Sequence, residues 1–190
     1  MRMQSALRSI MFSAVIGATT LNAQSVTEPS QAKPCVVVMG GGGAVTGNDA
    51  VDGQWFAINS AVSRAALAKL EASGLRTIDF IVDIRNEGKR ATEMARQMEQ
   101  HSCQKVLQIA HELRPPSRSK PPEAFAFVAT VLEVDTAKKK KRGGGKFTMA
   151  ESYKKEYEYA MTREVLETIS MSEVGEKLAK EILESGSLLK

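Results

Sequence analysis

Apolar residues form short runs or alternate with polar ones in five stretches, and recur every three or four positions in three others, which predicts five strands and three helices. The first stretch, Cys35 to Met39, is a continuous apolar run of the kind buried on both faces of a sheet, and Gly40 to Gly43 follow it directly. From Gly40 to Gly53 the chain holds six glycines with Asn48, Asp49 and Asp52, which predicts a long irregular connection. Trp55, Phe56, Ile58, Val62, Ala66 and Leu70 then fit a helix over 54–72 that Gly74 ends, and its alanines at 61, 65, 66 and 68 would let it lie close to a sheet. Thr77 to Ile84 alternates as a half-buried strand, and Asn86-Glu87-Gly88 turns the chain into a helix over 90–102 with Ala91, Met94, Ala95 and Met98 on one stripe.

Lys105 to Leu113 places Leu107, Ile109, His111 and Leu113 on one strand face. Prolines at 115, 116, 121 and 122 exclude regular pairing from the connection that follows. Ala124 to Asp135 is apolar on both faces, as an interior strand is. Lys146 to Met161 puts Phe147, Met149, Tyr153, Tyr157 and Tyr159 on one side and Thr148, Ser152, Lys154, Glu156 and Glu158 on the other, so it reads as the antiparallel hairpin partner. Thr162 to Ile169 fits a helical turn as well as a strand end and stays open. Ser170 and Glu173 have capping-box spacing ahead of a helix over 172–185, with Gly186 as its stop.

The resulting order is β-α-β-α-β-β-β-α, an α/β (α+β mixed sheet) class with three parallel strands, an antiparallel hairpin and helices packed on the sheet. If the second and third strands flank the first, the two early helices fall on opposite faces and the first strand is central. That arrangement brings Cys35 and Cys103 to one end of the sheet.

The amino-terminal residues change the compartment and the charge. Arg2 and Arg8 precede an apolar run from Ile10 to Leu21 that ends in Leu21-Asn22-Ala23, the layout of a secretory signal peptide. The run is about a dozen residues, short of the roughly twenty that a membrane-crossing helix needs. Residues 1–23 are therefore read as a cleaved leader, with an uncleaved anchor as the alternative, residues 24–34 as a flexible segment, and 35–190 as one domain, not transmembrane after cleavage. Without Arg2 and Arg8 the formal net charge falls from +4 to +2, so a pI near 9.1 is weak grounds for nucleic-acid binding. In an exported chain two cysteines are a candidate disulfide, Cys35 with Cys103, free thiols being the other reading. His101, Ser102 and Cys103 have no zinc-site spacing, and neither metal nor cofactor is expected.

The helix Trp55 to Leu70, the strand entry Gly74-Leu75-Arg76-Thr77-Ile78-Asp79, the stretch Gln104 to Leu113, the hairpin ending at Val134-Asp135 and the helix Glu173 to Leu183 together resemble a periplasmic α/β domain. It is the domain shared by the amino-terminal part of TolB, the curli-secretion lipoprotein CsgG and the penicillin-binding-protein activator LpoB. The chain lacks the lipidation cysteine of the lipoprotein members and the β-propeller repeats of full-length TolB. The resemblance implies an envelope protein that works through contacts with other proteins, with no catalytic residue to carry over.

The glycine run lacks the Gly-Lys-Ser or Gly-Lys-Thr ending of a phosphate loop and the spacing of a dinucleotide fingerprint, so it reads as a turn. Lys138, Lys139, Lys140, Lys141 and Arg142 form a basic hairpin tip, either solvated or a contact loop for an anionic surface. No aromatic residue interleaves with it, which removes support for nucleic-acid binding. His111 on an apolar face reads as a structural histidine before a catalytic base, and no nucleophile elbow accompanies Ser102, Ser117 or Ser119. Tyr153, Tyr157 and Tyr159 are either core or a candidate contact patch. The expectation is an exported, non-catalytic binding or accessory protein of the bacterial cell envelope or a secretion system, periplasmic or secreted, with an envelope protein as partner. The alternative is a small envelope enzyme that uses His111 with a neighbouring carboxylate.

Overall fold

The computed structural model of the chain describes residues 33–43, 46–83, 87–114, 122–134 and 148–189. They form a mixed α/β fold with one five-stranded sheet in the order β2-β1-β3-β4-β5. The strands are β1 (Cys35–Gly43), β2 (Arg76–Ile81), β3 (Lys105–Arg114), β4 (Ala124–Val134) and β5 (Met149–Ala160). The helices are α1 (Asp49–Ala72), α2 (Glu87–His101), α3 (Arg163–Thr168) and α4 (Met171–Glu184). β1 pairs parallel with β2 and β3, while β3 with β4 and β4 with β5 are antiparallel. α3 resolves the stretch that the sequence left open: Thr162 caps it by accepting from Val165 N–H.

Alternation along β1 divides the core in two. Val36 and Val38 join Trp55, Val62, Ala66 and Leu70 of α1 and Val174, Leu178 and Ile182 of α4, whereas Val37 and Met39 join Phe80, Met98 of α2, Cys103 and Val106. α1 and α4 thus cover one face, and α2 covers the other over β1 and β2. Leu188, beyond α4, is fully buried in the first cluster, and Lys105 Nζ donates to the Ser187 carbonyl, which ties this turn to the start of β3.

Two readings need correction. All four glycines from 40 to 43 lie in β1 instead of a turn, with an irregularity between Met39 and Gly42 and a positive φ of 76° at Gly41. The irregular connection is correspondingly short, because α1 begins at Asp49, where the Asn48 side chain accepts from Ala50 and Val51 N–H. Met149, expected on the tyrosine side of β5, packs with Leu132 and Val134 on the opposite face. The register shift between Val131 and Leu132 leaves Ser152 as an extra residue, since Tyr153 lies opposite Val131 and Glu151 opposite Leu132. One extra residue reverses the side-chain alternation beyond it.

The alanines of α1 serve a different neighbour from the one expected. Ala61 and Ala68 are exposed, while Ala65 and Ala66 meet Gly175 of α4. A Cβ at Gly175 would lie 2.2 Å from the Val62 carbonyl oxygen and 2.8 Å from the Ala65 Cβ. The small residues therefore set a close helix–helix approach rather than a helix–sheet one.

Candidate functional site

The end of β1 is crowded from both faces, and the crowding explains the glycines. A Cβ on Gly40 would lie 2.3 Å from Ser63 Oγ, one on Gly41 2.4 Å from the Phe56 ring, and one on Gly42 2.1 Å from the Arg90 guanidinium. Gly41 N–H donates to Asn59 Oδ1 at 2.6 Å, and Arg90 Nη2 donates to the Gly40 carbonyl at 2.7 Å. Side chains of α1 and α2 thus occupy the space beside the backbone that a phosphate would need. Asn59 and Ser63 are fully buried, and Ser63 Oγ donates to the Asn59 carbonyl at 2.8 Å. Asn59 Nδ2 and Ser60 Oγ are buried without a hydrogen-bond partner.

His111 lies opposite Gly43 on one side and Phe127 on the other, is 4% exposed, and stacks on Trp55 with ring centroids 4.8 Å apart at 14°. Trp55 in turn contacts Phe125 at 5.4 Å, so the imidazole belongs to an aromatic column. Beside that column an apolar recess of about 310 Å³ is lined by Val51, Trp55 and Ile58 of α1, Leu113 of β3, Leu166 of α3, and Met161 just before it. Sequence reasoning missed this recess, because its walls come from α1, β3 and α3, which are far apart in the chain. Its one local signal is the pair Val165-Leu166, of which Leu166 is 40% exposed.

Tyr153, Tyr157 and Tyr159 share one face of β5 with Lys155, half-buried against the core beneath α4. Tyr159 stacks on Phe125 at 5.5 Å. Tyr157 donates its phenol proton to Glu181 Oε1, Lys155 Nζ lies 2.6 Å from Glu181 Oε2, and Lys177 Nζ sits 4.4 Å from the Tyr157 ring centroid. The Lys155 ammonium first, and then the Tyr157 hydroxyl, hold the Glu181 carboxyl below the usual range. Burial first, and then the bond to Glu181, push the Tyr157 phenol up, and burial does the same to Tyr159.

The signs give a pH expectation. A raised phenol pKa contributes stability that is complete below the ordinary value of 10.0 and is lost as pH rises above it, whereas a lowered carboxyl pKa contributes stability that is lost as pH falls below the ordinary 4.5. Ultraviolet titration should show a tyrosinate step later than that of free tyrosine, and Tyr157→Phe should remove its main part. A titration without a late step would contradict the bond between Tyr157 and Glu181.

On the opposite face of β5, Arg114 of β3 reaches across β4 to Glu158 Oε2 at 2.6 Å and Glu156 Oε2 at 2.9 Å, and also meets Glu112 at 3.2 Å. Ala124 and Ala126 stand opposite Arg114 and Glu112, small enough for the side chain to pass over. These carboxylates keep the guanidinium charged, and Arg114 lowers the Glu156 pKa. The pairs are partly exposed, so each adds little to stability.

Cys35 and Cys103 are joined as a disulfide with Cα atoms 4.7 Å apart, at the amino ends of β1 and β3, where Val36 lies opposite Lys105. The turn that delivers Cys103 is a Schellman closure of α2: Ser102 takes φ 54°, its N–H donates to the Glu99 carbonyl, and Cys103 N–H donates to the Met98 carbonyl. Lys138 to Arg142, Ser117 and Ser119 lie outside the described residues. Among the described residues no group of three His, Cys, Asp or Glu is gathered that could hold a metal ion, and no helix is long and apolar enough to cross a membrane. No protein-family model and no curated protein matches the chain.

Proposed function

We propose that the chain is an exported binding or accessory protein of the bacterial cell envelope or a secretion system, periplasmic or secreted, which acts on a protein partner without catalysis. The observation that carries the binding part is the β5–α4 surface, where half-buried tyrosines lie among Lys155, Lys177 and Glu181. Aromatic rings with apolar bodies and polar tips, framed by fixed charges, suit protein contact. The disulfide supports export, since such bonds persist in oxidising compartments and are rare elsewhere. The leader at 1–23 gives the route, and the resemblance to the TolB amino-terminal, CsgG and LpoB domain supports the envelope setting, the β-α-β-α-β-β-β-α order read from the sequence being extended by α3. The basic run Lys138 to Arg142 adds a contact for an anionic surface in this reading.

The second reading, a small envelope enzyme using His111, draws support from the recess beside Trp55, on which the imidazole stacks. Fractionation with thiol labelling tests export: the protein should appear in the envelope or the medium with both cysteines blocked. Recovery in the cytoplasm with free thiols would defeat that part. Crosslinked capture tests binding: a partner held by the wild type should be lost from a Tyr153→Ser, Lys177→Glu variant that still folds. Turnover of any substrate that depends on His111 would overturn the binding reading.

A further inference from the structure

β5 is an outer strand of the sheet, and among the described residues it pairs with β4 alone. It is a long edge, Met149–Ala160, without proline or glycine, and from Tyr153 to Ala160 its register is unbroken. An edge of this kind offers a row of backbone donors and acceptors to another strand. Its side chains decide which strand fits.

We infer that the β5 edge pairs antiparallel with the β5 edge of a second copy of this chain, in a register centred on Glu156. In a continuous two-fold sheet the strand meets itself so that residues equidistant from the centre stand opposite each other on the same face. Centring on Glu156 places Lys154 opposite Glu158 twice, Lys155 opposite Tyr157 twice and Tyr153 opposite Tyr159 twice. Opposite charges, aromatic pairs and a cation against an aromatic ring are all favourable cross-strand neighbours. The one unfavourable meeting is Glu156 with its own copy, and each Glu156 is already held by Arg114 at 2.9 Å. Centring on Lys155 also opposes Lys154 to a glutamate, but runs into the extra residue Ser152 and shortens the regular pairing.

The charges on this edge deter apolar strands from adding to it. A second β5 is the strand to which the same charges are complementary. The half-buried tyrosines of the two copies would form one row beneath both α4 helices. This inference does not depend on where the protein is located or on its other partners.

Sedimentation velocity on the oxidised protein over a concentration series tests it. The expected result is a reversible change from a single chain to a species of two chains. Lys154→Glu turns both Lys–Glu pairs into Glu–Glu pairs and should weaken association roughly thirtyfold. Mixing Lys154→Glu with Glu158→Lys should restore it as a mixed dimer, since each altered residue then faces an opposite charge. Single chains at every concentration overturn the inference, as does a dimer that Lys154→Glu leaves unchanged or a mixture that stays monomeric while both variants fold. Hydrogen exchange of the wild type needs no variant: the amides of Lys154, Glu156 and Glu158, which alternate with those bonded to β4 and point to the open edge, should gain protection with concentration, and exchange independent of concentration would refute the pairing.

Discussion

Replacing Cys35 and Cys103 together by alanine should lower the unfolding free energy by about 4 kcal/mol and the melting temperature by roughly 10 °C. The bond joins residues 68 apart in sequence, and closing a loop of that size removes a large part of the freedom of the unfolded chain. In the folded state the two residues are already neighbours: the first strand lies beside the third, and the Schellman turn at Ser102 aims Cys103 at that junction. Alanine is the appropriate replacement because Cys103 is 5% exposed among Val37, Met39, Met98 and Val106, where a serine hydroxyl would need a partner. Denaturant unfolding of the wild type with and without reductant should reproduce the same loss. A reduced protein as stable as the oxidised one would mean that the bond contributes nothing through the unfolded chain.

The second large effect is expected at Gly175. Valine there should cost about 3 kcal/mol or more, because its Cβ would fall on the Val62 carbonyl of α1 and the helices must separate along a seam that buries Val174, Leu178 and Ile182. Alanine should cost about 1 to 2 kcal/mol even though it is the better helix former, since the gain in helix propensity is at most about 1 kcal/mol. Gly53 in α1 is the control. Apart from the backbone of its own helix and its chain neighbours, no atom lies within 4 Å of a Cβ placed there, so Gly53→Ala should stabilise by up to about 1 kcal/mol. Opposite signs at two helical glycines, measured by thermal unfolding, would isolate packing from propensity. Equal signs would remove the close seam as the cause.

The legible part of this fold was the part written in local periodicity. Alternation in residues 105–113, the run apolar on both faces in 124–135 and the three-to-four spacing from Trp55 to Leu70 specify elements from within a few residues, and the mixed α/β class follows from their order. The glycine run misled because its cause is remote: Ser63, Phe56 and Arg90 approach it from two helices on two faces, and nothing in residues 40–43 records that. Met149 was misplaced for a related reason, since the extra residue at Ser152 is defined only against β4. Of the candidate sites, the cysteine pair could be reasoned from strand adjacency, whereas the recess beside Trp55 depends on α3, whose sequence fitted two conformations. Tyr157 was visible as part of a row, but its bond to Glu181 required knowing that α4 lies over β5.

The path of Arg114 across β4 also bears on how the sheet finds its alignment. A slip of β5 by one residue is excluded by the core, because it would turn the tyrosines outward. A slip by two keeps every apolar side chain on its proper face and escapes that check. It would, however, exchange the facing pair Glu156 and Glu158 for Lys154 and Glu156, or for Glu158 and Ala160. In the first case Arg114 meets a like charge, and in the second it loses a carboxylate, so one cation spanning three strands distinguishes the native register from the two nearest errors that the hydrophobic pattern tolerates.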